Sequence, residues 1–241
     1  MKLIIQLVIL ISLYSCNTVE NSKVEHKGAL RDIMHKGDLS AKANLKDFEN
    51  LKGLYGIGAV EGLKGEILIL DGVSYISSCK TVDSVKVNSI QKTFETEAAL
   101  FVYSQVNEWM DIKIPFEILT YAQLETFISA EAEYQGLDIE QPFPFLITGN
   151  FDTFDWHVID WKDGDTEHSH EKHIAAGLHG QKHNTEGTVL GFYSNKHHAI
   201  YTHHTTNMHL HIKTEENTLV AHVDDLMLGG NQYLKLPISK K

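Results

Sequence analysis

Residues 207–223 read NMHLHIKTEENTLVAHV. His209 and His211 are two apart on an apolar background, a polar break KTEENT follows, and His222 lies in the next apolar run. Residues i and i+2 of a strand project from one face. His209 and His211 then project together, with Leu210 and Ile212 on the other face. A turn centred on Glu216-Asn217 makes the stretch a hairpin and puts His211 opposite His222. Opposed residues have Cβ atoms about 4.5–5.5 Å apart, and a diagonal neighbour such as His209 is also within reach. Three imidazoles with an open fourth position are the pattern of a catalytic zinc rather than a closed structural one. Surface histidines on a polar sheet face would show the same spacing. Against that, Leu210, Ile212, Leu219, Val220 and Val223 give the hairpin an apolar side to bury.

The segment 66–77 reads EILIL, then Asp71-Gly72, then VSYIS, which is a hairpin signature. FPFLITGNFDTFDWHVIDW and GTVLGFYS are strand-like. Helical spacing is present in residues 29–50, where Leu30, Ile33 and Met34 share a side, and in 119–134, where Leu124, Phe127 and Ile128 do. Residues 93–106 also read as a helix. Residues 162–186 are polar and histidine-rich and read as an exposed loop with one helical turn. No repeat of fixed period and no linker after residue 50 divides the chain. The expected fold class is α+β, with β-rich mixed sheets and a few helices, in one domain spanning 29–241.

Composition narrows the function classes. The chain has 241 residues, 42% hydrophobic and 22% charged, with net charge −11 and Arg31 as its single arginine. This excludes the basic patches of nucleic-acid binders. Fifteen histidines are many, and most follow residue 156. The opening MKLIIQLVILISLYSC has one lysine and an apolar run too short to span a membrane, which fits a signal segment over residues 1–15. Its Leu-x-Ser-Cys ending resembles a bacterial lipobox. Cys16 is then the lipid-bearing residue, residues 16–28 form a tether, and the protein is exported and membrane-anchored. Cys79 is the other cysteine, so no internal disulfide is expected.

Taken together, the motifs resemble the bacterial alpha-acetolactate decarboxylase family over roughly residues 28–237. The family's GxHLHF and GHVLDF are similar to NMHLHI and AHVDDL here, its GTLVGFYTP to GTVLGFYSN, and its GIGTFxxLDGELIVLDG to GIGAVEGLKGEILILDG. The resemblance implies zinc bound by His209, His211 and His222 and decarboxylation of 2-acetolactate to acetoin. It also implies an acid–base role for Glu66, the glutamate of the GEL motif. Three features depart from the pattern. Ala59 stands at the family's threonine, His157 aligns with its active-site arginine and is a tentative substrate contact, and only ISKK follows Leu236-Pro237. Two alternatives therefore stay open: an exported metal-binding lipoprotein without turnover, and a zinc lyase on a related 2-hydroxy-3-keto acid. Expected partners are the small-molecule substrate, the membrane through Cys16, and a second copy of the chain as an assembly the sequence allows without specifying. His168, His170, His173, His179 and His183 are read as a solvated segment or auxiliary metal capture. His197, His198, His203 and His204 are read as surface or supporting groups.

Overall fold

The computed structural model describes residues 22–238, so the expected signal segment and Cys16 lie outside the described residues. The architecture is α+β, built on two antiparallel sheets. The first runs β1 (Glu25–Lys27), β7 (Glu97–Gln105), β3 (Leu54–Val60), β4 (Glu66–Leu70), β5 (Val73–Val82) and β6 (Val85–Lys92), with β2 (Ala43–Asn44) also on β7. Glu25–Lys27, at the end of the expected tether, thus pairs with the sheet. The second sheet contains β8 (Trp109–Lys113), β9 (Phe143–Val158), β10 (Leu178–Tyr193), β11 (Met208–Thr214), β12 (Val220–Leu228) and β13 (Tyr233–Pro237). Within it, β9, β10, β11 and β12 close a circuit, because β9 pairs with both β10 and β12.

Local chemistry explains the expected hairpins. Asp71 and Gly72 join β4 to β5 with φ of 47° and 75°, the left-handed conformation a two-residue turn of this kind requires. On β4 the period of two places Ile67 and Ile69 in the outer core, against Leu45 and Phe101, and Leu68 in the core between the sheets. Glu66 therefore shares the inward face with Leu68. The hairpin of β11 and β12 has the expected register, with His211 opposite His222. Its loop is closed by the Thr214 amide donating to Leu219 (3.1 Å), with Asn217 at φ 54°.

Helix α1 (Leu30–Lys36) and helix α2 (Tyr121–Tyr134) fall within the expected segments. Thr120 caps α2 by accepting from the Gln123 amide (3.3 Å), and Gln123 Oε1 accepts from the Thr120 amide in return (3.1 Å). Leu124, Ile128 and Ala132 bury one stripe of α2 against the outer face of the second sheet.

Two expectations are corrected. Residues 93–106 are not helical: they contain β7, in which Ala98 to Val102 are all buried. A strand covered on both faces is apolar without alternation, so a short run of this kind imitates a helix. Residues 162–186 are not mainly a loop. Helix α3 (His170–Ala176) is followed by the first half of β10, where residues from Leu178 to Thr185 pair with Val158 to Phe151. That half pairs with β9 alone, so its side chains stay polar while its backbone is satisfied. Cys79 is a free thiol. No helix among the described residues is long and apolar enough to cross a membrane.

Candidate active site

The two sheets face each other across a core containing Ile57, Leu68 and Val102 from one and Leu146, Leu190 and Val220 from the other. One end of this layer holds a cavity of about 70 Å³, lined by Ala59, Glu66, His157, His209 and His222 and covered by Leu30, Ile33 and Met34 of α1. A water needs roughly 10–15 Å³, so the space has room for a few waters or a small molecule rather than a large cofactor. Strand register places the donors. His211, His222 and His157 are directly paired across β11, β12 and β9, making one rung of three histidines. His209 joins them from the same face of β11.

His209 Nε2 and His211 Nε2 are 3.2 Å apart. One donor atom from each of His209, His211 and His222 lies within 4.8 Å of the others. Two nitrogens on one tetrahedral zinc, each bound at about 2.0–2.1 Å, stand about 3.3 Å apart. The donor set therefore fits such an ion. Burial pushes the His209 pKa down to about 3 and lowers His211 and His222 well below the usual histidine value. The rings are thus neutral, the form that binds metals.

Glu66 is 3% exposed. Its Oε1 accepts from the Ile159 amide at 3.0 Å and lies 3.9 Å from His157 Nε2, while Oε2 lies 3.7 Å from His211 Nε2. Burial drives its pKa up to about 7, against the opposing pull of His157 and the Ile159 amide. His157 is buried, and burial alone would lower its pKa. The Asp224 hydrogen bond and the charges of Glu66 and Asp224 outweigh this and raise it. His157 Nδ1 lies 2.8 and 3.0 Å from the two Asp224 oxygens. Sequence reading passed over Asp224, although it follows His222 by two on the same strand and so had a signal. Ala59 pairs with Glu66 across β3 and β4.

The remaining histidines divide. His173 is buried and His168 stacks on Trp161 (ring centroids 4.4 Å), with His168 Nδ1 and His173 Nε2 2.9 Å apart, so this part of the segment is packed rather than solvated. His170 and His203 line the cavity edge with ring centroids 4.4 Å apart. His179, His183, His198 and His204 are exposed, and His197 bonds Ser194 and stacks on Tyr201. Arg31 is exposed on α1.

Solved structures share this fold. A Bacillus subtilis strain 168 alpha-acetolactate decarboxylase is similar at 17% identity, with TM-score 0.67 over 91% of this chain and 86% of that one. An acetolactate decarboxylase from Bacillus subtilis subspecies spizizenii gives 16% identity and TM-score 0.68 over 90% of this chain and 86% of that one. A Staphylococcus aureus protein described as similar to alpha-acetolactate decarboxylase gives 15% identity and TM-score 0.66 over 88% of this chain and 84% of that one. No curated protein matches the chain. The sequence pattern of the alpha-acetolactate decarboxylase family matches residues 28–238, the whole of both sheets apart from the first strand, and the chain belongs to that family.

Proposed function

We propose that the protein is a zinc-dependent decarboxylase that converts 2-acetolactate to acetoin and CO2. The observation that carries this reading is the convergence of His209, His211 and His222 beside the buried carboxyl of Glu66 in a small, largely apolar cavity. His209, His211 and His222 would hold the zinc, which when bound acts as a Lewis acid toward substrate oxygens. Glu66 would then hold the proton that the carbon needs once CO2 has left. It is anchored by the Ile159 amide, so its free oxygen faces the histidines rather than the protein interior. His157 would contact the substrate through Nε2, which Asp224 keeps aimed inward by engaging Nδ1. The apolar side chains of α1 would exclude water and so hold the Glu66 proton in the cavity.

The test is direct. Purified, metal-loaded protein is incubated with racemic 2-acetolactate, and acetoin is measured above the spontaneous rate. No excess with metal bound would refute the reading and leave the metal-binding lipoprotein as the function. A related 2-hydroxy-3-keto acid turned over in place of 2-acetolactate would shift the substrate but keep the chemistry.

We also propose export and lipid anchoring, supported by the apolar run and lipobox-like ending of MKLIIQLVILISLYSC. Cys16→Ser should move the protein from the membrane fraction to the soluble one. An unchanged distribution would refute the anchor.

A further inference from the structure

We propose that Glu125 is a positioning residue for the metal site, fixing the end of β11 that carries His209. The inference rests on the three histidines as metal ligands and not on the decarboxylation proposed for them. Strand pairing holds those ligands unequally. His211 has Leu190 of β10 on one side and His222 of β12 on the other. His222 lies between His211 and His157. His209 is paired with Phe192 of β10 alone, because β12 meets β11 only at His211, Ile212 and Lys213. Metal–ligand distances tolerate errors of about 0.2 Å. A ligand near the end of a strand with one neighbour therefore needs a further hold.

Helix α2 supplies it. Glu125 accepts three hydrogen bonds from the two residues that lead into β11. Its Oε2 accepts from the Thr206 hydroxyl and, at 3.0 Å, from the Asn207 amide. Its Oε1 accepts from Asn207 Nδ2 at 2.9 Å. Thr206 Oγ1 in turn accepts from the Met208 amide at 3.1 Å, so the chain of bonds from α2 ends one residue before His209. The rest of Asn207 is also engaged. Its carbonyl accepts from the Ser194 amide (2.8 Å), which closes the loop 194–207, and its Oδ1 lies 2.8 Å from His198 Nε2. The junction is thus bonded on every polar group. Leu124, Ile128 and Ala132 seat α2 on the second sheet without help from Glu125, so the carboxyl can be removed with the helix in place.

Groups that orient a metal ligand contribute about 10–100-fold in metal affinity. Glu125 acts through the backbone, which puts it at the lower end. Metal-free full-length protein is titrated with Co2+ and followed by visible absorption. Glu125→Ala should bind about 10-fold more weakly than the wild type, and Glu125→Gln, which keeps one acceptor oxygen, should fall between them. In a His209→Ala background the same substitutions should change Co2+ affinity by less than about twofold, because the ligand they act through is gone. Amide exchange of the metal-free proteins, read by NMR, is the second measurement. Glu125→Ala should speed exchange in residues 207–210 and leave β9 and β12 unchanged.

Equal Co2+ affinity in Glu125→Ala and the wild type would overturn the proposal. So would an equal loss in both backgrounds, or exchange accelerated throughout the second sheet, since either would make Glu125 a support for the fold alone. If His209→Ala binds too weakly to titrate, the exchange pattern decides between these outcomes. A wild type that binds no Co2+ would refute the metal site itself, a result distinct from a wild type that binds and a Glu125→Ala that binds equally.

Discussion

Replacing Glu66 by glutamine separates its chemistry from its place in the fold. The Oε1 atom accepts from the Ile159 amide at 3.0 Å, and a glutamine carbonyl oxygen can keep that bond. The other neighbours, His157 Nε2 at 3.9 Å and His211 Nε2 at 3.7 Å, are beyond hydrogen-bond range, so the amide breaks no further bond. One retained neutral hydrogen bond places the stability change within about 1 kcal/mol. What glutamine cannot do is hold and release a proton. General acid–base groups contribute about 10²–10⁴ in rate, which is about 3–5 kcal/mol in the barrier. Glu66→Gln should therefore lose about 10²–10⁴-fold in acetoin formation while its thermal midpoint and metal content stay near wild type. Glu66→Ala should lose stability as well, because the Ile159 amide is left buried and unpaired at a cost of about 1–3 kcal/mol. The assay is the initial acetoin rate over the spontaneous background, read beside metal content and thermal unfolding. A metal-loaded Glu66→Gln protein with more than a tenth of the wild-type rate would refute the acid role. Loss of the metal in that variant would instead make Glu66 part of the ligand set.

Four further outcomes follow from the structure. His211→Ala should weaken metal binding by more than about 100-fold, since changes to groups that merely orient ligands already cost about 10–100-fold. Unchanged metal content by mass spectrometry would exclude His211 as a ligand. A chelator should lower the melting temperature, because an ion that binds only the folded chain contributes about 2.7 kcal/mol at a hundred times its Kd. An identical melting curve with and without chelator would mean that nothing is bound. Burial pushes His173 down to about 4. The unfolded chain takes up its proton first, so the stability from a neutral His173 is present above about pH 6.5 and is lost as pH falls toward 4. Relative to His173→Phe, the wild type should lose at most about 2 kcal/mol more between pH 7 and pH 5, read by urea unfolding. Parallel pH curves would contradict that account. Gly191→Ala puts a Cβ 2.2 Å from Phe145 and 2.7 Å from Leu210. Overpacking of this kind costs about 1–3 kcal/mol, and a melting temperature equal to wild type would show that the strand circuit yields more easily than its packing implies.

The sequence was legible wherever a local rule governs geometry. The period of two and the turn position set the pairing of His211 with His222, and Asp71-Gly72 marked the β4–β5 turn. The family motif put Glu66 in the cavity, and the structure lets its strand period explain why it faces inward. Legibility failed where the cause is long-range. Strand β7 is apolar on both faces because it is buried between layers, and no local period records that. The first half of β10 is a strand by virtue of its partner β9, not of its own residues. His170 and His203 are distant in sequence and come together only when α3 and the loop before β11 dock beside β12. Asp224, two residues after His222 on one strand, carried such a local signal, but its contact with His157 depends on the pairing of β12 with β9.

The rung formed by His157, His222 and His211 has a consequence for how this scaffold can change its chemistry. Position 157 is held from both sides, by β10 and by β12. Whatever side chain occupies it is delivered to the same spot, beside the triad and in front of Glu66. Exchanging the side chain there changes the group that faces Glu66 and gives up the bond to Asp224, while the strand pairing that positions it stays. On the reading proposed above, the triad would grip the ion and the group at 157 would meet the substrate, so the second could diverge while the first stands still.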